Sequence, residues 1–268
     1  MRRLNHIWRL IGTALGFFFF GLGGFLLGIL VFPLLKLLSP ASQLQRRSRL
    51  VLHYILRAHV WLLRSLGVLK LEIVGAEKLN REGQLVLANH PCLLDVVFLI
   101  SQIRNANCVV KNALWNNPFT GGPVRAANYV SNGDSQKMIQ GCADSLDSGD
   151  SLMIFPEGTR TTPGKPLRFQ RGAAQVALRS EATITPVVIH GALPAMTKDM
   201  KWFQIPERKM HFTLYVGEDI DISHYRREPN ITVAVRRVTE LLQNHFTEEL
   251  EKHGGTGKRT EADDCRYA

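Results

Sequence analysis

Hydrophobic and polar positions divide the chain into an apolar beginning and a long alternation of short apolar runs with amphipathic stretches. From Leu10 to Leu35, 26 residues pass without a charge, Phe17 to Phe20 among them. A helix that crosses a bilayer needs about 20 apolar residues. No small-residue cleavage site marks the run as a removable leader, so a membrane-anchoring helix is expected. Gly12 and Gly16, and Gly24 and Gly28, lie four apart, a spacing that permits close helix packing. Over residues 49 to 70, Arg57, Arg64 and Lys70 recur at near-heptad spacing among leucines, Tyr54 and Trp61. That pattern predicts a basic amphipathic helix, either at the membrane interface or packed on a domain core.

Short apolar runs follow. Leu71–Val74, Leu85–Ala88, Cys108–Val110, Ser151–Ile154, Thr183–Ile189 and Met210–Val216 read as strands. Turn formers lie between them, first at Asn80 to Gly83. Met138, Ile139, Cys142 and Leu146 recur at helical spacing over Ser135–Asp147. Further helices are expected around Arg168 and Arg171 to Arg179, and from the cap Asn230 to about Lys252. Strands alternating with helices imply an α/β domain with a mixed, largely parallel sheet covered by helices. The expected organisation is an anchoring helix over 1–47, an interfacial helix over 48–70, a folded domain over 71–252, and a disordered polar tail over 253–268.

Charge sharpens the picture. The 268 residues carry a formal charge of +10 and an isoelectric point near 9.7. Such a balance suits nucleic acid or an anionic membrane surface. The apolar start favours the membrane, and no zinc spacing, helix-turn-helix signature or RNA-binding motif supports nucleic acid. Arg2, Arg3 and Arg9 precede the apolar run; Lys36, Arg46, Arg47, Arg49 and Arg57 follow it. The heavier side would keep the domain in the cytoplasm, at the inner (cytoplasmic) membrane, with either a spanning helix or a hairpin in one leaflet. Cys92, Cys108, Cys142 and Cys265 show neither metal spacing nor a disulfide framework. No metal or cofactor is expected.

Candidate chemistry concentrates in two places. Asn89-His90-Pro91-Cys92-Leu93-Leu94-Asp95 sits where an apolar strand hands over to an apolar helix. Five residues of ideal helix turn through about 500°, which would point His90 and Asp95 apart. They meet only if His90 lies in the turn before the helix. Asp95 would then fix one ring nitrogen and leave the other as a base. Phe155-Pro156-Glu157-Gly158-Thr159-Arg160 likewise follows a buried strand, where α/β sites are built. Glu157 suits a hydroxyl, and Arg160 suits a phosphate or carboxylate.

The pattern N-H-x-x-x-x-D followed by F-P-E-G-T-R resembles the glycerolipid acyltransferases, typified by 1-acyl-glycerol-3-phosphate acyltransferase, over roughly residues 70 to 220. The resemblance implies transfer of an acyl group from coenzyme A or acyl carrier protein to a lipid hydroxyl, on 1-acyl-glycerol-3-phosphate or a lysophospholipid. It implies His90 and Asp95 as catalytic residues, with Lys111, Glu157, Gly158, Thr159 and Arg160 toward substrate. Lys111, Leu114, Pro118 and Gly121 agree with the family's second motif. Ala113 stands where a Glu is usual, Asn128 where a Gly is usual, and Asp134 where an Arg credited with holding the acceptor's phosphate is usual. Arg125 is the candidate substitute. Cys92 stands where Ser is common; it suits a near-isosteric replacement for a structural Ser, though a weaker cap, or, as a helix-start thiol, a nucleophile. Thr183–Ile189 resembles the strand that lines the family's acyl pocket. The chain also looks like the subgroup accompanying aryl-polyene-type lipid assembly, whose acceptor would differ. A membrane-binding module without catalysis is a further alternative. Lys198 to Lys209, with Trp202 and Phe203 interleaved, suits lipid headgroups or an exposed loop.

Overall fold

Strands that are apolar at every position need cover on both faces. The computed structural model, which describes residues 2–191, 195–198, 200–206 and 208–254, supplies it. The chain opens with α1 (Arg2–Leu26), a π-helical turn (Leu27–Val31), α2 (Phe32–Leu38) and α3 (Ala41–Ser65). Then come β1 (Leu69–Val74), β2 (Gln84–Ala88), α4 (Asp95–Ile100), β3 (Ala106–Val110), α5 (Gly121–Ala127) and β4 (Val130–Ser131). The chain continues with α6 (Ser135–Asp147), β5 (Ser151–Ile154), α7 (Arg171–Arg179), β6 (Thr183–Gly191), β7 (Met210–Val216), α8 (Ser223–Arg226) and α9 (Ile231–Lys252).

The sheet order is β1-β7-β6-β2-β5-β3-β4, and only β6–β7 is antiparallel. This is the mixed, largely parallel sheet that the alternation predicts. Central β2 and β5 are buried throughout, whereas edge strand β1 alternates. Val86, Ala88, Met153 and Ile189 face α3 and α4. Leu85, Leu87, Leu152 and Val188 face α6, α7 and α9. The two-residue repeat of the strand thus sorts one apolar run into two cores. Asn230 caps α9 as expected, its Oδ1 accepting from the N–H groups of Thr232 and Val233.

Two expectations about the amino-terminal helices change. The expected break near residue 47 falls inside α3, and Lys70 lies in β1 rather than on the amphipathic helix. α3 buries Leu52, Val60, Leu63 and also Arg49, while Leu50, Tyr54, Trp61 and Arg57 stay exposed. Arg49, read as part of the positive flank, is a core residue. The apolar helix Arg3–Leu38, 36 residues, is long and apolar enough to cross a membrane. Its glycines pack on the folded domain: a Cβ at Gly24 would strike the Phe119 carbonyl, and one at Gly122 would strike the Gly28 backbone. Trp8 Nε1 donates to the Leu66 carbonyl at 2.9 Å. The outward face carries Phe18, Phe19, Leu22, Phe25, Ile29 and Leu30, all exposed. Pro33 lacks the N–H that would bond one turn back, which accounts for the π turn just before it. Beyond Gly254 the expected tail lies outside the described residues.

Candidate active site

β2, β5 and β6 run parallel or share an end, so Ala88, Ile154 and Gly191 finish at one edge of the sheet. The turn after β2 begins with Asn89, which is buried and bonds β6 in both directions. Its Nδ2 donates to the Ile189 carbonyl at 2.9 Å, and its Oδ1 accepts the Ile189 N–H at 2.7 Å. The side chain extends the pairing of β2 with β6 by one step and leaves the chain free to turn.

His90 occupies that turn and Asp95 opens α4, the arrangement that lets them meet. His90 Nδ1 lies 2.8 Å from Asp95 Oδ2. The same carboxylate oxygen accepts the Cys92 N–H at 2.7 Å. Asp95 is fully buried, and burial pushes its carboxyl above the usual range; hydrogen bonding and charge from His90, the Cys92 N–H and the Arg160 charge oppose that push. A carboxylate accepting at Nδ1 places the proton there, so Nε2 carries the lone pair. The imidazole stacks on Phe155, with centroids 4.2 Å apart and planes at 23°.

The second stretch braces the first. Glu157 Oε1 accepts the His90 N–H at 2.9 Å and the Thr161 hydroxyl at 2.7 Å. The Thr161 N–H donates to the His90 carbonyl at 2.7 Å. His90 is therefore held at both its backbone groups. Glu157 is buried, which raises its carboxyl pKa against the pull of those two bonds. Gly158 has φ +67°, the left-handed region that the turn requires. Thr159 is exposed. Arg160 Nη1 donates to the carbonyls of Met196 and Thr197 at 3.0 and 2.9 Å.

A family model described as Acyltransferase matches residues 70–190. Over this stretch, which holds both motifs, the chain is similar to the acyltransferases. Among curated acyltransferase relatives, a 1-acyl-sn-glycerol-3-phosphate acyltransferase of Pseudomonas aeruginosa is 26% identical over 66% of this chain and 70% of its own length. One from Helicobacter pylori is 30% identical over 47% of this chain and 55% of its own length. One from Chlamydomonas reinhardtii is 27% identical over 62% of this chain and 52% of its own length. The chain thus spans about half the length of two of these three relatives. The crystal structure of the 1-acyl-sn-glycerophosphate acyltransferase of Thermotoga maritima shares the fold, with TM-score 0.62, 18% identity, and coverage of 91% of this chain and 97% of that one.

Against the acyltransferase pattern, three departures acquire physical content. Asn128 has φ +52° at the end of α5, so the position demands the left-handed conformation that Gly or Asn supplies. Asp134 is the N-cap of α6, accepting from Gln136 and Lys137 N–H at 2.9 and 3.0 Å, bonds that lower its pKa. Cys92 is fully buried; burial, then the Asp95 charge, pushes its thiol far up, and Sγ accepts the Leu94 N–H at 3.4 Å. The environment disfavours thiolate, which supports Cys92 as a replacement for a structural Ser over an activated helix-start thiol.

The other expected residues stand apart. Lys111 is exposed at the end of β3. Arg125 is exposed on α5 and donates to the Trp115 carbonyl, bracing the 112–121 loop. Neither makes a hydrogen bond to the His90 cluster among the described residues. Asn89, Phe155 and Thr161 support the site by contacts that sequence reading gave no role. Each lies inside or beside a motif, which was the available signal.

Proposed function

We propose that the protein is a membrane-associated O-acyltransferase that moves an acyl group from a coenzyme A or carrier-protein thioester to a lipid hydroxyl. The observation that carries this reading is the 2.8 Å contact of His90 Nδ1 with buried Asp95, which leaves Nε2 as the base. Nε2 takes the acceptor's hydroxyl proton as the oxygen attacks the thioester carbonyl carbon. The tetrahedral intermediate collapses, the C–S bond breaks, and the departing thiolate takes the proton from the imidazolium. Asp95 holds the tautomer and stabilises the imidazolium. Such a base contributes about 10²–10⁴-fold. Glu157 and Gly158 shape the turn that carries His90, and Thr159 and Arg160 border the acceptor. No acyl-enzyme is required.

The family relatives support 1-acyl-glycerol-3-phosphate or a lysophospholipid as acceptor. Asp134 favours a second reading within the same chemistry. A carboxylate that already satisfies the first N–H groups of α6 repels a phosphate there, so an acceptor of a specialised, aryl-polyene-type pathway, with its hydroxyl on a different lipid, fits as well. The glycine seam on the domain favours an apolar helix lying along one leaflet, with the catalytic domain on the cytoplasmic face.

The deciding experiment is acyl transfer by detergent-purified protein to 1-acyl-glycerol-3-phosphate, with both thioester donors and His90→Ala as control. Turnover lost in the variant supports the first acceptor. An inert acceptor with slow, His90-dependent thioester hydrolysis supports the second. His90-independent turnover sinks both.

A further inference from the structure

Arg160 stands where three chain segments meet. Its Nη1 binds two consecutive carbonyls, Met196 and Thr197, at 3.0 and 2.9 Å. The Met196 carbonyl also accepts the Leu93 N–H at 3.2 Å, from inside the His90–Asp95 turn. Met196 has φ +51°. That conformation is costly for an unbranched apolar residue and persists only where its surroundings impose it. Ala195, Met196 and Thr197 are buried, whereas Trp202 and Phe203, a few residues on, are about half exposed. The Trp202 ring meets Phe17 of α1 edge-on at 6.1 Å and Phe203 at 5.7 Å. One stretch of chain therefore touches the His90 turn at one end and the apolar helix at the other.

We propose that Arg160 is a positioning residue: it clamps the Met196–Thr197 carbonyls against Leu93, and through Trp202 it ties the orientation of the His90 turn to the seating of this stretch on α1 at the lipid surface. A planar guanidinium with several donors suits a bridge across two carbonyls. This differs from a phosphate grip, which would ask Nη1 to face the acceptor. Without the clamp, Met196 loses one of the two bonds that hold its left-handed backbone. Relaxation withdraws its carbonyl from the Leu93 N–H. The turn between Cys92 and Leu94 then loosens, and with it the Cys92 N–H that orients Asp95. A misplacement of about 1 Å at such a site costs on the order of 10²-fold in rate. The catalytic consequence rests on the acyl-transfer reading; the tether does not.

The test uses the full-length protein on vesicles of anionic phospholipid. Hydrogen exchange at the Leu93 amide is expected to run about tenfold faster in Arg160→Gln, the effect of losing one charge-assisted bond. It also rises in Trp202→Ala, an exposed position that folds whatever becomes of the first variant. In transfer assays, Arg160→Gln lowers kcat alike for phosphorylated and unphosphorylated acceptors, with KM nearly unchanged. Trp202→Ala adds nothing in that background. An unchanged Leu93 exchange rate in Arg160→Gln overturns the tether. A KM that rises only for phosphorylated acceptors returns Arg160 to a phosphate role. Fully additive effects of the two substitutions sever the link to α1. If the wild type turns over no acceptor, the acyl-transfer reading fails, while the exchange result still decides the tether.

Discussion

Two buried polar clusters sit at opposite edges of the same sheet. At the amino-terminal edge, Arg49 pairs with Asp150 at 2.5 Å, donates through Nε to the Ala127 carbonyl at 2.9 Å, and reaches Asn105 Oδ1 at 3.3 Å. Asp150 also accepts from Asn105 at 3.0 Å and from Ser145 at 2.7 Å. At the carboxyl-terminal edge, His90 and Asp95 form a pair of similar length with Glu157 behind it. The first cluster centres on a guanidinium whose donors are taken up by protein, and it ties α3 to the starts of two strands. The second uses an imidazole and stops short of saturation: among the described residues, protein engages one of its two nitrogens, Nδ1. Burial alone does not mark a site; a buried pair that keeps a lone pair for an outside partner does.

The contrast is broken most directly at His90. His90→Ala is expected to lower kcat by about 10²–10⁴-fold with little change in the unfolding midpoint. Asp95→Asn loses a comparable factor through the wrong ring tautomer, on the order of 10⁴-fold at most. Arg49→Ala should do the reverse. It strands a largely buried carboxylate and costs about 3 kcal/mol of unfolding free energy, while kcat per folded molecule stays near wild type. Denaturant unfolding and active-site-normalised rates separate the two outcomes. A large kcat loss in Arg49→Ala at full folding would show that the edges of the sheet are not independent.

Glu157 belongs to the second cluster by position and to the first by its bonding, so it sharpens the comparison. Burial holds its native pKa above the ordinary carboxyl value. The native state then keeps its proton to higher pH than the unfolded chain does. Its contribution is fully present below the unfolded pKa and is lost as pH rises through the native one. Glu157→Gln retains an oxygen for the His90 N–H and the Thr161 hydroxyl but removes the charge. Its thermal midpoint should exceed wild type near neutral pH and vary less between about pH 4 and about pH 8. A lower, equally pH-dependent midpoint would mean that the charge itself strengthens those two bonds by more than burial costs.

Much of this was legible in the chain. Apolar runs located β2 and β5 because interior strands lack an alternating polar face, alternation located β7, and the helical repeat of α6 and the Asn230 cap are local. His90 and Asp95 were legible because the strand-to-helix handover limits how five residues can fold. Arg49 was not, since nothing local shows that its partner Asp150 lies 101 positions away in sequence, by the difference of their numbers. Arg160 was legible as a motif residue, but its bonds to Met196 and Thr197 were not, because these carbonyls reach it only through the return of the chain after β6. The length of α3 was missed for a different reason: polar Ala41 to Arg47 carries no apolar repeat, and the helix continues there on helix-forming residues alone.

The smallest effect lies at Cys92, beside both catalytic candidates yet outside their chemistry. Its Sγ is enclosed, accepts the Leu94 N–H at 3.4 Å, and is disfavoured as thiolate by burial and by Asp95. A hydroxyl is smaller and a better acceptor for the same N–H, so Cys92→Ser trades a little packing for a firmer turn. Unfolding free energy should move by less than about 1 kcal/mol, and kcat by no more than a few-fold. The two halves of the comparison then divide cleanly: the backbone N–H of Cys92 serves Asp95, and its side chain serves the core. Loss of all transfer in a folded Cys92→Ser protein would instead demand a covalent thioester on this sulfur. Direct attack by the acceptor, with His90 as base, would then be wrong.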